Sequence, residues 1–168
     1  MTRTLILTRH AKSSWAVPGL ADHDRPLNKR GQRSAKAIGA WLEEHGAVPD
    51  EVLCSSAQRT QETWALMALQ MEAEPQLNLL EALYHAASSQ MLALLRRATG
   101  RTVLMLGHNP GIAEFAEAMV ERPPDHPDFS RYPTCATTVL RFDVEDWKEV
   151  APGSGHAEAF VVPRELTD

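Results

Sequence analysis

Arginine and histidine gather at three points of this sequence: Arg9-His10, Arg59 and His108. Each point lies just beyond a short apolar run, so a fold that aligns those runs brings all four side chains together. Their types match what phosphoryl transfer requires: donors around three equatorial oxygens and a nucleophile in line with the leaving group. The planar fork of an arginine makes two parallel bonds to one phosphate. A neutral histidine with a free ring nitrogen can attack phosphorus, and a second histidine can serve as a further clamp. This inventory calls for no metal or other cofactor. The rest of the chain makes the clustering informative, because 168 residues carry a net charge of −5 and an anion site must be built locally. The same acidity argues against a general nucleic-acid binder.

Strand-like and helix-like segments alternate along the chain, as in an α/β domain. Residues 4–8 read as a buried first strand, 52–54 as a second and 102–106 as a third. Residues 137–142 and 159–162 read as late strands at the sheet edge. Asn28 caps a helix over 29–45, with Ala35, Ile38 and Leu42 on one face and Gly46 as its stop. Ser55-Ser56 caps a helix carrying Arg59, Thr63, Met67 and Met71, and a further helix covers 89–98. Asn109 as N-cap and Pro110 at the first helical position open a helix running to Val120. Residues 121–133 contain four prolines and read as loop. Carboxyl ends of parallel strands line one edge, where ligands bind, and helix N-termini there favour anions. The expected architecture is a three-layer α/β/α fold with a mostly parallel central sheet, in one domain over 1–168.

Hydrophobic residues make up 43% and charged residues 23% of the chain, which fits a folded globular protein rather than a disordered one. Cys54 and Cys135 make no metal-like spacing and read as buried thiols in a reducing compartment. The apolar run at 4–8 is too short for a signal-peptide core and is interrupted by Arg9-His10. No stretch is long and apolar enough to span a bilayer. A cytoplasmic protein without a membrane partner is expected.

Four blocks carry a resemblance to a known family. Arg9-His10-Ala11-Lys12-Ser13-Ser14-Trp15 resembles the opening motif of the histidine phosphatase superfamily, which includes cofactor-dependent phosphoglycerate mutases. Arg25-Pro26-Leu27-Asn28-Lys29-Arg30-Gly31, Ser55-Ser56-Ala57-Gln58-Arg59-Thr60-Gln61-Glu62-Thr63 and Gly107-His108-Asn109-Pro110-Gly111 follow in the family order. Together they look most like the compact SixA-type phosphohistidine phosphatases. The resemblance implies that His10 is transiently phosphorylated, that Arg9 and Arg59 hold phosphate, and that His108 completes the pocket. It implies Glu81, in Leu80-Glu81-Ala82-Leu83-Tyr84, as the proton-shuttling acid. Ala11 departs from the glycine of many relatives and leans towards the phosphohistidine branch. Ser13 and Ser14 are further candidates for phosphate contact.

The function expected is a metal-independent phosphatase acting on a phosphorylated protein, most simply on phosphohistidine, with inorganic phosphate as product. A phosphorylated small molecule is the alternative substrate, for a phosphomonoesterase or mutase on the same scaffold. About twenty residues separate Arg59 from Glu81, leaving little room for a lid. A non-catalytic phosphate binder is the remaining alternative. Binding alone does not require a nucleophile opposite the clamp.

Overall fold

The computed structural model describes residues 1–167. Six strands form one sheet: β1 (Arg3–Arg9), β2 (Glu51–Ser55), β3 (Gln76–Leu80), β4 (Thr102–Gly107), β5 (Thr137–Phe142) and β6 (His156–Val161), in spatial order β3-β2-β4-β1-β5-β6. The first four in that order are mutually parallel; β5 runs antiparallel to β1, and β6 antiparallel to β5. Thus β6 again runs parallel to β1. One edge of the sheet therefore collects the carboxyl ends of five strands and the start of β5.

The sheet's two-residue period divides its side chains between two cores. Leu5 and Leu7 of β1, with Val103 and Met105 of β4, pack on one face with Met91, Leu95, Phe115 and Met119. Those last four come from α3 (Ser88–Leu95) and α4 (Gly111–Met119). Ile6, Leu104 and Leu106 face the other way, against Ala35, Ile38, Leu42, Trp64 and Met67. That second layer is α1 (Lys29–Glu44) and α2 (Gln58–Ala68). The buried residues of α1 fall at 31, 34, 35, 38, 39 and 42, the stripe a core-facing helix requires. The expected three-layer α/β/α fold with a mostly parallel sheet is the fold found.

Some local expectations differ from the structure. β3 has no counterpart in the sequence reading; it is a sheet-edge strand whose Leu77 and Leu79 are exposed. α2 begins after Ala57 without a side-chain cap, because the Ser55 hydroxyl is turned towards His108. α4 begins at Gly111, so Pro110 precedes the helix rather than opening it. Asn109 is not its cap: its amide donates to the carbonyls of Arg131 and Tyr132, both at 3.0 Å. The cap at Asn28 is as expected, its side chain accepting from the Gly31 N–H at 2.8 Å.

Candidate active site

β1 hands its last residues directly to the site. The His10 N–H donates to the Gly107 carbonyl at 3.1 Å and the His10 carbonyl accepts from Cys135 at 2.9 Å. The backbone of the candidate nucleophile is therefore gripped by the strand ends on both sides of β1. Its Nδ1 lies 2.7 Å from the Ala11 carbonyl. A carbonyl only accepts, so Nδ1 carries the proton and Nε2 presents a lone pair. Nε2 makes no hydrogen bond to another described residue and remains open to solvent. Burial, reinforced by the charges of Arg9, Arg59 and Arg25, pushes the His10 pKa down to about 4, against the bond to Ala11. The ring is thus neutral at physiological pH, as a nucleophile must be.

His108 follows β4 and lies 5.2 Å from His10, centroid to centroid. Its Nε2 is 2.7 Å from the Ser55 hydroxyl at the end of β2. Burial first, then the neighbouring His10, Arg59 and His85, lowers its pKa to about 3. Arg9 is oriented by one bond, from Nη1 to the Tyr132 carbonyl at 3.2 Å. Arg59 projects from the first turn of α2. The Thr63 hydroxyl, one turn on, donates to the Arg59 carbonyl at 2.7 Å and accepts from the Ala11 N–H at 3.0 Å. That link ties the start of α2 to the segment just past His10.

Three buried nitrogens of this cluster have no partner, Arg9 Nε, Arg59 Nε and His108 Nδ1, and neither has the Asn109 Oδ1 beside them. Buried polar groups are nearly always paired, so a set of unpaired ones on neighbouring side chains needs an explanation. Two are guanidinium donors and the third becomes a donor when His108 Nε2 accepts from Ser55. An anion seated among them would satisfy all three. Among the described residues, no group of three or more His, Cys, Asp or Glu is placed to hold a metal ion.

Sequence reasoning missed Asp22, in a 3-10 turn at Asp22–Asp24. Its carboxylate accepts from Arg59 Nη2 and Arg25 Nε, both at 3.1 Å, and from the Tyr84 hydroxyl; its carbonyl accepts from Arg59 Nη1 at 2.8 Å. These partners, Tyr84 foremost, hold its carboxyl far below the usual range. Arg25 is itself buried, stacked 3.6 Å below the Trp15 ring and bonded to the Ser13 hydroxyl at 2.6 Å. Trp15 is 78% exposed and roofs that arginine. His23 bonds Ser56 at 2.9 Å and meets Tyr84 edge-on.

The remaining candidates lie farther from the cluster's contacts. Glu81 opens a 3-10 turn (Glu81–Leu83), is exposed, and makes no side-chain hydrogen bond or ion pair with another described residue. That turn delivers Tyr84 to Asp22 instead. Ser13 accepts from Arg25, leaving its own proton to donate; the Ser14 hydroxyl accepts from the Ala16 N–H at 3.0 Å. A cavity of about 250 Å³ opens beside His108, lined by Tyr84, His85, Asn109 and Glu114 among others.

Residues 5–83 match the family model of the histidine phosphatase superfamily, branch 1. An uncharacterized protein of Mycobacterium tuberculosis is 34% identical to this chain, over 93% of this chain and 99% of the relative. The solved structure of a candidate phosphohistidine phosphatase SixA from Nakamurella multipartitia is 30% identical, with TM-score 0.83 and 97% of each chain covered. A second SixA candidate, from Agrobacterium tumefaciens, is 26% identical with TM-score 0.80, covering 96% of this chain and 98% of that one. The sequence blocks, the order of the strands that carry them and these full-length matches agree, and the chain belongs to the histidine phosphatase superfamily.

Proposed function

We propose that this protein hydrolyses a phosphorylated histidine side chain on another protein, by two displacements through His10. The observation that carries the reading is the trio of unpaired buried nitrogens, Arg9 Nε, Arg59 Nε and His108 Nδ1, around a neutral imidazole with a free Nε2. In the first displacement the Nε2 lone pair forms a bond to phosphorus as the P–N bond to the substrate imidazole breaks. The leaving imidazole keeps that electron pair and takes a proton. In the second, water attacks the same phosphorus, loses a proton and releases inorganic phosphate, restoring neutral His10. The arginines and His108 hold the equatorial oxygens through both steps, where fixed donors contribute most. Ser13 adds a hydroxyl donor at the rim and Ser14 shapes the turn beside it. Glu81 exchanges the leaving-group proton through water, a modest duty because an imidazole is a good leaving group.

Two features favour a protein-borne substrate. Only α2 and β3 lie between Arg59 and Glu81, so no lid is built there. The cavity beside His108 offers aromatic faces from Tyr84 and His85 with the Glu114 carboxylate, a setting that suits an imidazole or its protonated form. The buried free thiols of Cys54 and Cys135 suit a reducing, cytoplasmic setting; no helix among the described residues is long and apolar enough to cross a membrane.

The test is phosphate release by wild type and His10→Ala from a phosphohistidine-bearing protein and from an aryl phosphate. Faster turnover of the phosphoprotein, lost by a thousandfold or so in the variant, is expected by comparison with loss of other covalent nucleophiles. Turnover of the aryl phosphate alone would replace this reading with a small-molecule phosphatase. Full activity in folded His10→Ala would remove the covalent route.

A further inference from the structure

Beside the three unpaired nitrogens of the pocket stands one unpaired buried oxygen, Asn109 Oδ1. Its orientation is fixed by the other end of the amide. Nδ2 donates to the carbonyls of Arg131 and Tyr132, both at 3.0 Å, and a flipped amide would set an oxygen against two oxygens. The Tyr132 carbonyl also accepts from Arg9 Nη1 at 3.2 Å, so the amide and the phosphate clamp are neighbours across one atom. A buried acceptor left without a donor is costly. A phosphoryl group answers Arg9, Arg59 and His108 because its oxygens accept, but once ionised it has no hydrogen to give Asn109. The donor has to come from the rest of the ligand.

The cavity beside His108 has the chemistry opposite to that of the clamp. Asn109 is one of its walls, and no lysine or arginine lines it. Tyr84 and His85 supply aromatic faces, their ring centroids 4.0 Å apart. Glu114, also in its lining, makes no side-chain hydrogen bond or ion pair with another described residue, and its carboxylate is exposed. The clamp thus offers donors to an anion, while the cavity offers acceptors and aromatic faces. Such walls suit a flat ring that carries an N–H and a positive charge.

We infer that Asn109 reads the leaving group: its Oδ1 accepts the N–H on the ring nitrogen of phosphohistidine that does not carry phosphorus. The inference rests on the proposed hydrolysis and adds a specificity-determining residue to it. The substrate ring enters protonated on that nitrogen. When the P–N bond breaks, its electron pair stays on the ring and the phosphoryl group passes to His10 Nε2. The imidazole leaves neutral, its N–H still on Asn109. The proton that the leaving ring takes is therefore in place before the bond breaks, and Glu81 has only to exchange it with solvent. An aryl ester brings no such hydrogen, so Asn109 favours phosphate carried on nitrogen over phosphate carried on oxygen.

The experiment measures kcat/KM of the full chain on phosphoimidazole, on N-methylphosphoimidazolium, which has the charge without the N–H, and on an aryl phosphate. Wild type is compared with Asn109→Ala and Asn109→Asp. Both variants lose the bonds to the 131–132 carbonyls, and only the aspartate keeps an acceptor. Any loosening of Arg9 through Tyr132 slows all three substrates together and cancels in their ratios. The ratio of phosphoimidazole to aryl phosphate should fall about tenfold or more in Asn109→Ala, as loss of a hydrogen bond to a charged group does. In Asn109→Asp it should be kept or raised. The ratio of the methylated substrate to aryl phosphate should change little in Asn109→Ala. An unchanged phosphoimidazole ratio in Asn109→Ala, a fall in both variants, or an equal fall for the methylated substrate would overturn the inference and leave the hydrolysis standing. A wild type that prefers the aryl phosphate to phosphoimidazole would remove phosphohistidine hydrolysis itself, and this role of Asn109 with it.

Discussion

Asp22 takes up both terminal nitrogens of Arg59, one on its carbonyl and one on its carboxylate. The Nε–H and the second hydrogen on each terminal nitrogen are left for an incoming phosphoryl group. The same carboxylate bonds Arg25 and Tyr84, so it fixes the clamp's orientation while placing a negative charge beside the pocket. These roles pull binding and catalysis in opposite directions. Asp22→Asn keeps an acceptor oxygen and removes the charge, so inorganic phosphate should inhibit several-fold more tightly, by relief of repulsion at short range. The looser Arg59 should lower kcat about tenfold, since small misplacements of positioning groups are costly. Inhibition constants and kcat measured together separate these effects; weaker phosphate inhibition would show that Asp22 does not compete with the anion. Arg9, His10, Arg59 and His108 were legible in the sequence because each follows a recognisable strand and spacing. Asp22 and His23 were not. They lie in a turn with no periodicity, where a paired acid has the same local sequence as a solvated one.

At the scale of elements, α1 and the segment after β1 are fitted backbone to backbone. A Cβ added at Gly31 would sit 2.1 Å from the Lys12 carbonyl oxygen and 2.9 Å from its nitrogen. That same carbonyl accepts from the Asn28 N–H at 3.0 Å, so it cannot retreat without uncoupling the helix cap. Gly31→Ala must therefore push the chain at Lys12, two residues from His10. We expect a drop in melting temperature of several degrees, corresponding to about 1–3 kcal/mol for an overpacked site, together with a larger fractional loss of kcat than of phosphate affinity. A melting temperature and kcat both equal to wild type would show that the helix can slide without moving the nucleophile. The elements themselves were legible where one face is continuously apolar, as in β1, β4 and α1. β3 was not, because Gln76-Leu77-Asn78-Leu79-Leu80 pairs along one edge only and leaves its leucines at 77 and 79 exposed. The start of α4 misled because Asn109 had a competing partner, the 131–132 carbonyls, that local sequence cannot reveal.

For the molecule as a whole, the pocket couples stability to pH. Folding holds His10 and His108 neutral, with pKa values near 4 and 3 against an ordinary 6.5. Below about pH 6.5 the unfolded chain takes up protons that the folded chain refuses, so stability must fall as the pH drops. Each histidine contributes a slope of at most about 1.4 kcal/mol per pH unit, flattening below its folded pKa. Asp22, whose pKa is held low, acts in the same direction but only once the pH nears the ordinary carboxylate value of 3.8. The window from 6.5 to 4.5 therefore isolates the histidines. Urea midpoints should decline through it in wild type and decline less in His10→Asn and in His108→Asn. Saturating inorganic phosphate should also flatten the decline, because a bound anion raises both histidine pKa values towards the unfolded ones. A phosphate-insensitive slope would mean that the charge holding these rings neutral does not come from an anion pocket, and the reading of the three unpaired nitrogens would fail with it.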